Sequence, residues 1–183
     1  QVESNGRAVC GIGRGDSSLG KIGRGPVPVA EFELYVERLQ RYLRGEEVDR
    51  DGTASRIEWH ADANVAKVPL EIAATGKRVI ELAARHAEHI VFAVGADEER
   101  LARSIEIARR AAQASGRDPD ALRLGAWINA VIHPDVAAAR AAVRGGLSVF
   151  AHFSGMSGMK TEAMDATLRG AAELEVTIVT AAA

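Results

Sequence analysis

Two glycine-containing turns hold the residues best suited to chemistry. The first is Val9-Cys-Gly-Ile-Gly-Arg-Gly-Asp-Ser-Ser18, where Arg14 and Asp16 flank Gly15. A carboxylate beside an arginine can handle a proton next to a bound ligand, and the glycines let the backbone approach that ligand closely. The second is Ala73-Ala-Thr-Gly-Lys-Arg-Val79, in which small residues and Thr75-Gly76 lead into a helical pattern. The N–H groups at such a helix start, the Thr75 hydroxyl and the charge of Lys77 or Arg78 suit an anionic group. Each turn also has a plainer reading, a tight strand-end turn for the first and a simple helix N-cap for the second. The ligand reading gains from their placement, because both follow the carboxyl ends of expected strands and so share one face.

Two better-known phosphate loops do not fit. Gly15-Asp-Ser-Ser-Leu-Gly-Lys21 matches G-x-x-x-x-G-K, but Ile22 stands where a hydroxyl must meet Mg²⁺. Gly23-Arg-Gly-Pro26 then keeps a helix from starting before Val29. Gly11, Gly13 and Gly15 are spaced G-x-G-x-G with no helix directly behind them, which is not the dinucleotide fingerprint. His86 and His89 are three apart with no carboxylate cluster converging on them, so a structural or surface role is expected and no metal site. His133 is expected to cap a helix, and Trp59 and Trp127 to lie in the core of strand-like segments. Phe150-Ala-His-Phe153 reads as the buried end of a helix, and Cys10 as inert packing in a strand.

The elements that must position these residues follow from periodicity. Arg7–Ile12 reads as a short buried strand, and Phe32, Val36, Leu39 and Leu43 repeat at helical spacing up to Gly45 at a C-cap position. Asp49-Arg-Asp-Gly52 marks a turn between two short strands, Glu47–Asp49 and Ser55–Trp59. Then come a strand over Val68–Ala73, a helix over Gly76–Ala87, a strand over Ile90–Val94 and a helix over Glu98–Ser115. Leu101, Ile105, Ala108 and Ala112 form the stripe of that helix, and Gly116-Arg-Asp-Pro119 breaks it. A strand over Leu122–Val131, a helix opened by His133-Pro-Asp135, a helix over Thr161–Leu174 and a terminal strand complete the series. Strands alternating with helices mean βα units and a parallel sheet, either doubly wound or closed as a barrel.

Composition limits the class. The chain has 183 residues, 47% hydrophobic and 26% charged, enough for one core and typical of a soluble globular domain. Its 34 alanines against 4% aromatics favour closely packed helices over an aromatic-rich β-sandwich. A formal net charge of −2 lacks the basic footprint of a nucleic-acid binder. A single cysteine excludes an internal disulfide framework, and no apolar run approaches the roughly 20 residues of a membrane span. The expectation is a cytoplasmic protein with no nucleic-acid or membrane partner. The chain starts at Gln1 and stops in the strand-like Val176-Thr-Ile-Val179 followed by Thr180 and alanines, so it is expected to belong to a longer polypeptide.

The two turns, in this order on alternating strands and helices, resemble the bacterial luciferase-like family of flavin- and deazaflavin-dependent oxidoreductases. The residues carrying the likeness are Val9–Ser18 and Pro69-Leu-Glu-Ile-Ala-Ala-Thr-Gly-Lys-Arg-Val-Ile-Glu-Leu-Ala83. Gly95-Ala-Asp-Glu-Glu-Arg-Leu101, Gly116-Arg-Asp-Pro119 and Val143-Arg-Gly-Gly-Leu-Ser-Val-Phe-Ala-His-Phe153 add to it. The resemblance implies a single α/β domain over 1–183 of the (β/α)₈ TIM-barrel type, with 1–153 carrying the likeness and 154–183 matching poorly. It places Arg7–Gly13 at the fourth barrel strand, hence an incomplete barrel lacking the first three strands, where the family keeps its catalytic histidine and a non-prolyl cis peptide.

By position, the resemblance sets Arg14 and Gly15 at the border of the cofactor ring and makes Asp16 the carboxylate base. It assigns the cofactor phosphate to the turn of Ala74, Thr75, Gly76, Arg78 and Val79, with Lys77 departing from a frequent proline. The implied activity is hydride transfer or monooxygenation on a small-molecule substrate by a homodimer, with FMN or the deazaflavin coenzyme (F-420). The Gly-Arg-Gly-Asp-Ser form is nearer the deazaflavin branch. Two alternatives stand beside it: a non-catalytic flavin-binding or assembly partner, and an unrelated doubly wound protein binding a phosphometabolite at Thr75–Arg78. Apolar sheet edges at Arg7–Ile12 and Val176–Val179 would favour dimerisation or aggregation.

Overall fold

The computed structural model describes residues 1–15, 19, 22–59, 66–128 and 130–144. Its elements are β1 (Cys10–Ile12), α1 (Val29–Leu43), β2 (Val48–Arg50), β3 (Thr53–Ser55), β4 (Leu70–Ala74) and α2 (Lys77–His86). They continue with β5 (His89–Phe92), α3 (Glu98–Ala114), a 3₁₀ turn (Pro119–Ala121) and β6 (Arg123–Ala126), and a helical stretch covers 136–144.

Burial alternates along β4: Leu70, Ile72 and Ala74 are buried, Glu71 and Ala73 are not. The same period runs through β5, where Ile90 and Phe92 are buried. The buried set faces the helices, joining Phe32 and Val36 of α1, Ile80, Leu82, Ala83 and Ala84 of α2, and Ala108 and Ala112 of α3 in one core. The alanines on both α2 and α3 let these helices pack closely, as the composition predicts. The strands pair in the order β1-β4-β5-β6, all parallel. The register sets Ile12 beside Ile72, Ile72 beside Ile90 and Ile90 beside Leu124.

Local signals explain the boundaries. Phe32 and Val36 are buried and Leu39 and Leu43 pack against the core, with Gly45 at φ +73° beyond the Arg44 C-cap. The Asp97 carboxylate accepts the Arg100 N–H at 3.0 Å and caps α3. β2 and β3 form an antiparallel hairpin with Asp51 at φ +55° and Gly52 at φ +85°, both positive as a tight two-residue connection requires.

Several expectations need correcting. The first strand covers only Cys10–Ile12, and the strand expected over Leu122–Val131 ends at Ala126, since its pairing with β5 stops where Phe92 ends that strand. Trp59 and Trp127 are not core residues; they are 77% and 67% exposed. Asp135, rather than His133, caps the helical stretch, its carboxylate accepting the N–H of Ala137 at 2.8 Å and of Ala138 at 3.3 Å. Carboxylates do converge on His86: Glu33 Oε1 lies 2.9 Å and Glu37 Oε1 4.0 Å from its Nε2, because α1 packs across α2. The elements expected at Phe150–Phe153, Thr161–Leu174 and Val176–Val179 lie outside the described residues.

Candidate cofactor site

Parallel pairing brings the two chemistry-bearing turns together at the carboxyl edge of the sheet. β1 and β4 run side by side through Ile12 and Ile72, and a Cβ placed on Gly13 would lie 3.9 Å from the Ala73 Cβ. One residue further on each strand are Arg14 and Ala74, then Gly15 and Thr75.

The second turn is built by the end of β4. Ala74 is buried, and its carbonyl accepts the Ala93 N–H at 3.0 Å. The half-buried Thr75 has its hydroxyl 3.5 Å from the Ala93 carbonyl, so it spans to the end of β5. Gly76 is the N-cap of α2 in extended conformation, with φ −90° and ψ 150°, and no side chain caps the helix. The N–H groups of Val79 and Ile80 both donate to the Gly76 carbonyl at 3.0 Å. Those of Gly76, Lys77 and Arg78 come before the first intrahelical donor, Val79, and point out of the helix start. Nothing lies within 4 Å of a Cβ placed on Gly76, so the space before these donors is open. Arg78 is exposed, Lys77 makes a 3.8 Å ion pair with Glu81, and the Val79 side chain is 7% exposed in the core.

On the first turn, Arg14 Nη1 donates to the Val27 carbonyl at 3.1 Å, and the Val27 N–H donates to the Arg14 carbonyl at 3.1 Å. Gly15 has φ +84°, and a Cβ there would come within 2.8 Å of the Leu19 side chain. Asp16 lies outside the described residues. Trp127, whose N–H donates to the Phe92 carbonyl at 3.0 Å, stands exposed at the same edge just past β6. Its place at a strand's carboxyl end was the signal for a surface role that its apolar character hid.

The opposite, amino end of the sheet holds charges that sequence reading did not group. Glu71, His89 and Arg123 are register partners on three adjacent strands, with Glu71 Oε2 3.9 Å from His89 Nδ1. Among the described residues no three His, Cys, Asp or Glu side chains gather as a metal site, and no helix is long and apolar enough to cross a membrane.

The profile of the luciferase-like monooxygenase family matches residues 2–178. The chain belongs to that family. The described parallel sheet with its helices is part of the barrel-type α/β fold that luciferase-like proteins share. One similar solved structure is the coenzyme F-420-dependent tetrahydromethanopterin reductase from Methanopyrus kandleri, 17% identical with a TM-score of 0.62. That match covers 92% of this luciferase-like chain and 58% of the reductase. Another is an F-420-dependent secondary alcohol dehydrogenase in complex with an F-420–acetone adduct, 19% identical with a TM-score of 0.68. It covers 94% of this chain and 52% of the dehydrogenase. The luciferase-like chain thus spans between half and three-fifths of these relatives, and at such identities the likeness is one of fold. No curated protein matches it.

Proposed function

We propose that this luciferase-like chain binds a phosphorylated flavin-type cofactor, the deazaflavin F-420 or FMN, as part of an oxidoreductase acting on a small molecule. The observation that carries the reading is the uncapped start of α2 at Gly76, open in front and set at the carboxyl edge of a parallel sheet. The donors before the first intrahelical bond, at Gly76, Lys77 and Arg78, would hold the cofactor phosphate, with Thr75 at the turn and Arg78 adding charge. Ala74 and Val79, both buried, would fix the turn from below rather than touch the ligand. The Arg14–Gly15 segment would border the ring, and Asp16 would take or return a proton of the substrate.

When bound, the cofactor supplies the hydride or oxygen chemistry that protein side chains lack. The residues of the chain bind and orient it, and the apolar Trp127 at the same edge helps exclude water. The deazaflavin is favoured over FMN because the two solved enzymes named above are F-420-dependent. A homodimer in the cytoplasm is the state we propose for the working enzyme, with the β1 edge, paired on one side only among the described strands, as a surface that needs covering.

Titration of the purified chain with F-420 and with FMN, followed by fluorescence, tests the reading. Saturable binding that Thr75→Arg or Gly76→Trp abolishes supports it. A folded chain that ignores both cofactors but binds inorganic phosphate at the same turn would instead support a phosphometabolite site.

A further inference from the structure

We infer that the outward face of α1 is a two-fold docking surface for a second copy of this chain, centred between Leu34 and Tyr35. It gives the proposed homodimer a surface apart from the β1 edge, and it does not depend on the cofactor reading. α1 turns Phe32 and Val36 into the core and leaves Leu34 56% and Tyr35 55% exposed. Glu31 and Arg38 are exposed as well. Residues 31, 34, 35 and 38 follow the i, i+3, i+4, i+7 spacing, so these four side chains share one face of the helix. Two large apolar side chains therefore stand together in the middle of an uncovered helix face, where water gains nothing by them.

The charges of α1 indicate the occupant. Glu33 is held by Arg85 and His86, Glu37 Oε1 lies 4.0 Å from His86 Nε2, and Arg41 pairs with Glu46 at 3.3 Å. Glu31 and Arg38 make no ion pair and no side-chain hydrogen bond among the described residues. They lie at equal distances, about 5 Å along the axis, on either side of the midpoint between Leu34 and Tyr35. Turned about a two-fold axis through that midpoint, a second α1 runs antiparallel and sets each Glu31 level with the other copy's Arg38. Both Leu34 and both Tyr35 side chains then meet between the two charge pairs. An apolar centre flanked by opposite charges at equal spacing is complementary to itself, a balance that an unrelated partner would not require. The patch is small, so the association it supports is weak and concentration-dependent.

Sedimentation velocity of the full chain over a concentration series, at low and high salt, tests the inference, with circular dichroism checking the fold of each variant. Glu31→Arg and Arg38→Glu each set like charges against one another at both contacts. Each is expected to weaken dimerisation by about tenfold or more at low salt, and by less at high salt. The double variant, Glu31→Arg with Arg38→Glu, restores opposite charges across the axis and should dimerise as the native chain does. Glu31 sits in the first turn of α1, so an arginine there weakens the helix in the single and the double variant alike. Regained dimerisation therefore reports the contact and not the helix. Leu34→Gln removes part of the apolar centre without changing charge and is expected to weaken dimerisation about tenfold at either salt concentration.

A native chain that stays monomeric throughout overturns the inference. Association that the three single variants leave unchanged also overturns it and assigns the contact to another surface, such as the β1 edge. So does a folded double variant that stays as dissociated as the single ones. If the charge variants lose helix content, Leu34→Gln decides, and unchanged association in that variant overturns the inference. A chain that dimerises through α1 but binds neither F-420 nor FMN loses the functional reading and keeps this one.

Discussion

The Leu70 amide donates to the Glu88 carboxylate at 2.8 Å, tying the amino end of β4 to the residue just before β5. The same carboxylate receives the Lys67 ammonium at 3.1 Å and the Gln40 amide of α1 at 3.4 Å. Burial alone would raise the Glu88 pKa, but these donors outweigh it and hold the group below its ordinary value of 4.5. A lowered folded pKa stabilises the protein above that ordinary value, and the stabilisation is lost as pH falls through the folded value. Glu88→Gln is therefore expected to cost about 1 kcal/mol at neutral pH, the group being partly exposed, and less at an acidic pH below its folded value. Urea denaturation at both pH values checks it; an equal cost at both would mean that charge plays no part.

Gly76 separates binding from stability. Its backbone is extended at φ −90°, and nothing lies within 4 Å of an added Cβ, so Gly76→Ala is expected to change folding stability by no more than about 0.5 kcal/mol. Gly76→Trp should fold as well yet lose cofactor binding by filling the space before the α2 donors. Thermal denaturation beside a cofactor titration distinguishes this from a structural role, which would lower both.

Asp97 carries a purely structural prediction. Its carboxylate accepts the Arg100 N–H at 3.0 Å, so Asp97→Ala leaves a helix-start donor without its cap. A loss of about 1 kcal/mol is expected in chemical denaturation, with cofactor binding unchanged. An Asp97→Asn variant should recover most of it.

Gly15→Ala forces a side chain into a left-handed backbone at φ +84° and against Leu19, whose Cγ would be 2.8 Å away. The strain should loosen this turn rather than unfold the sheet, since neither Gly15 nor Leu19 belongs to the core of α1, α2, β4 and β5. Faster proteolysis between residues 15 and 26 with an unchanged melting temperature is the expected result. A drop in melting temperature without loop cleavage would place Gly15 in the cooperative fold.

Much of the architecture was readable because it depends on neighbours in sequence. The strand ending at Ala74, the helix beginning at Glu98, the Asp49–Gly52 turn and the Gly45 helix end all arise from residues within a few positions of one another. The shared edge of the two turns was legible to the same extent: turns that follow neighbouring parallel strands lie on one edge, and these do.

Partners distant in sequence were not legible. Glu33 meets His86 across 53 positions, Glu88 meets Leu70 across 18, and Arg14 turns to Val27 rather than standing out as an isolated cation. Trp127 is apolar enough for a core, yet it falls past the end of β6, where the strand pairing has stopped. The sequence by itself determined the order of the βα units and the family, because hydrophobic period and turn chemistry are local properties of the chain. Only the tertiary structure decided which charged groups anchor the amino end, which carbonyl the Arg14 guanidinium reaches and which tryptophan stays outside. Those outcomes depend on distances between elements that packing sets, and no spacing along the chain encodes them.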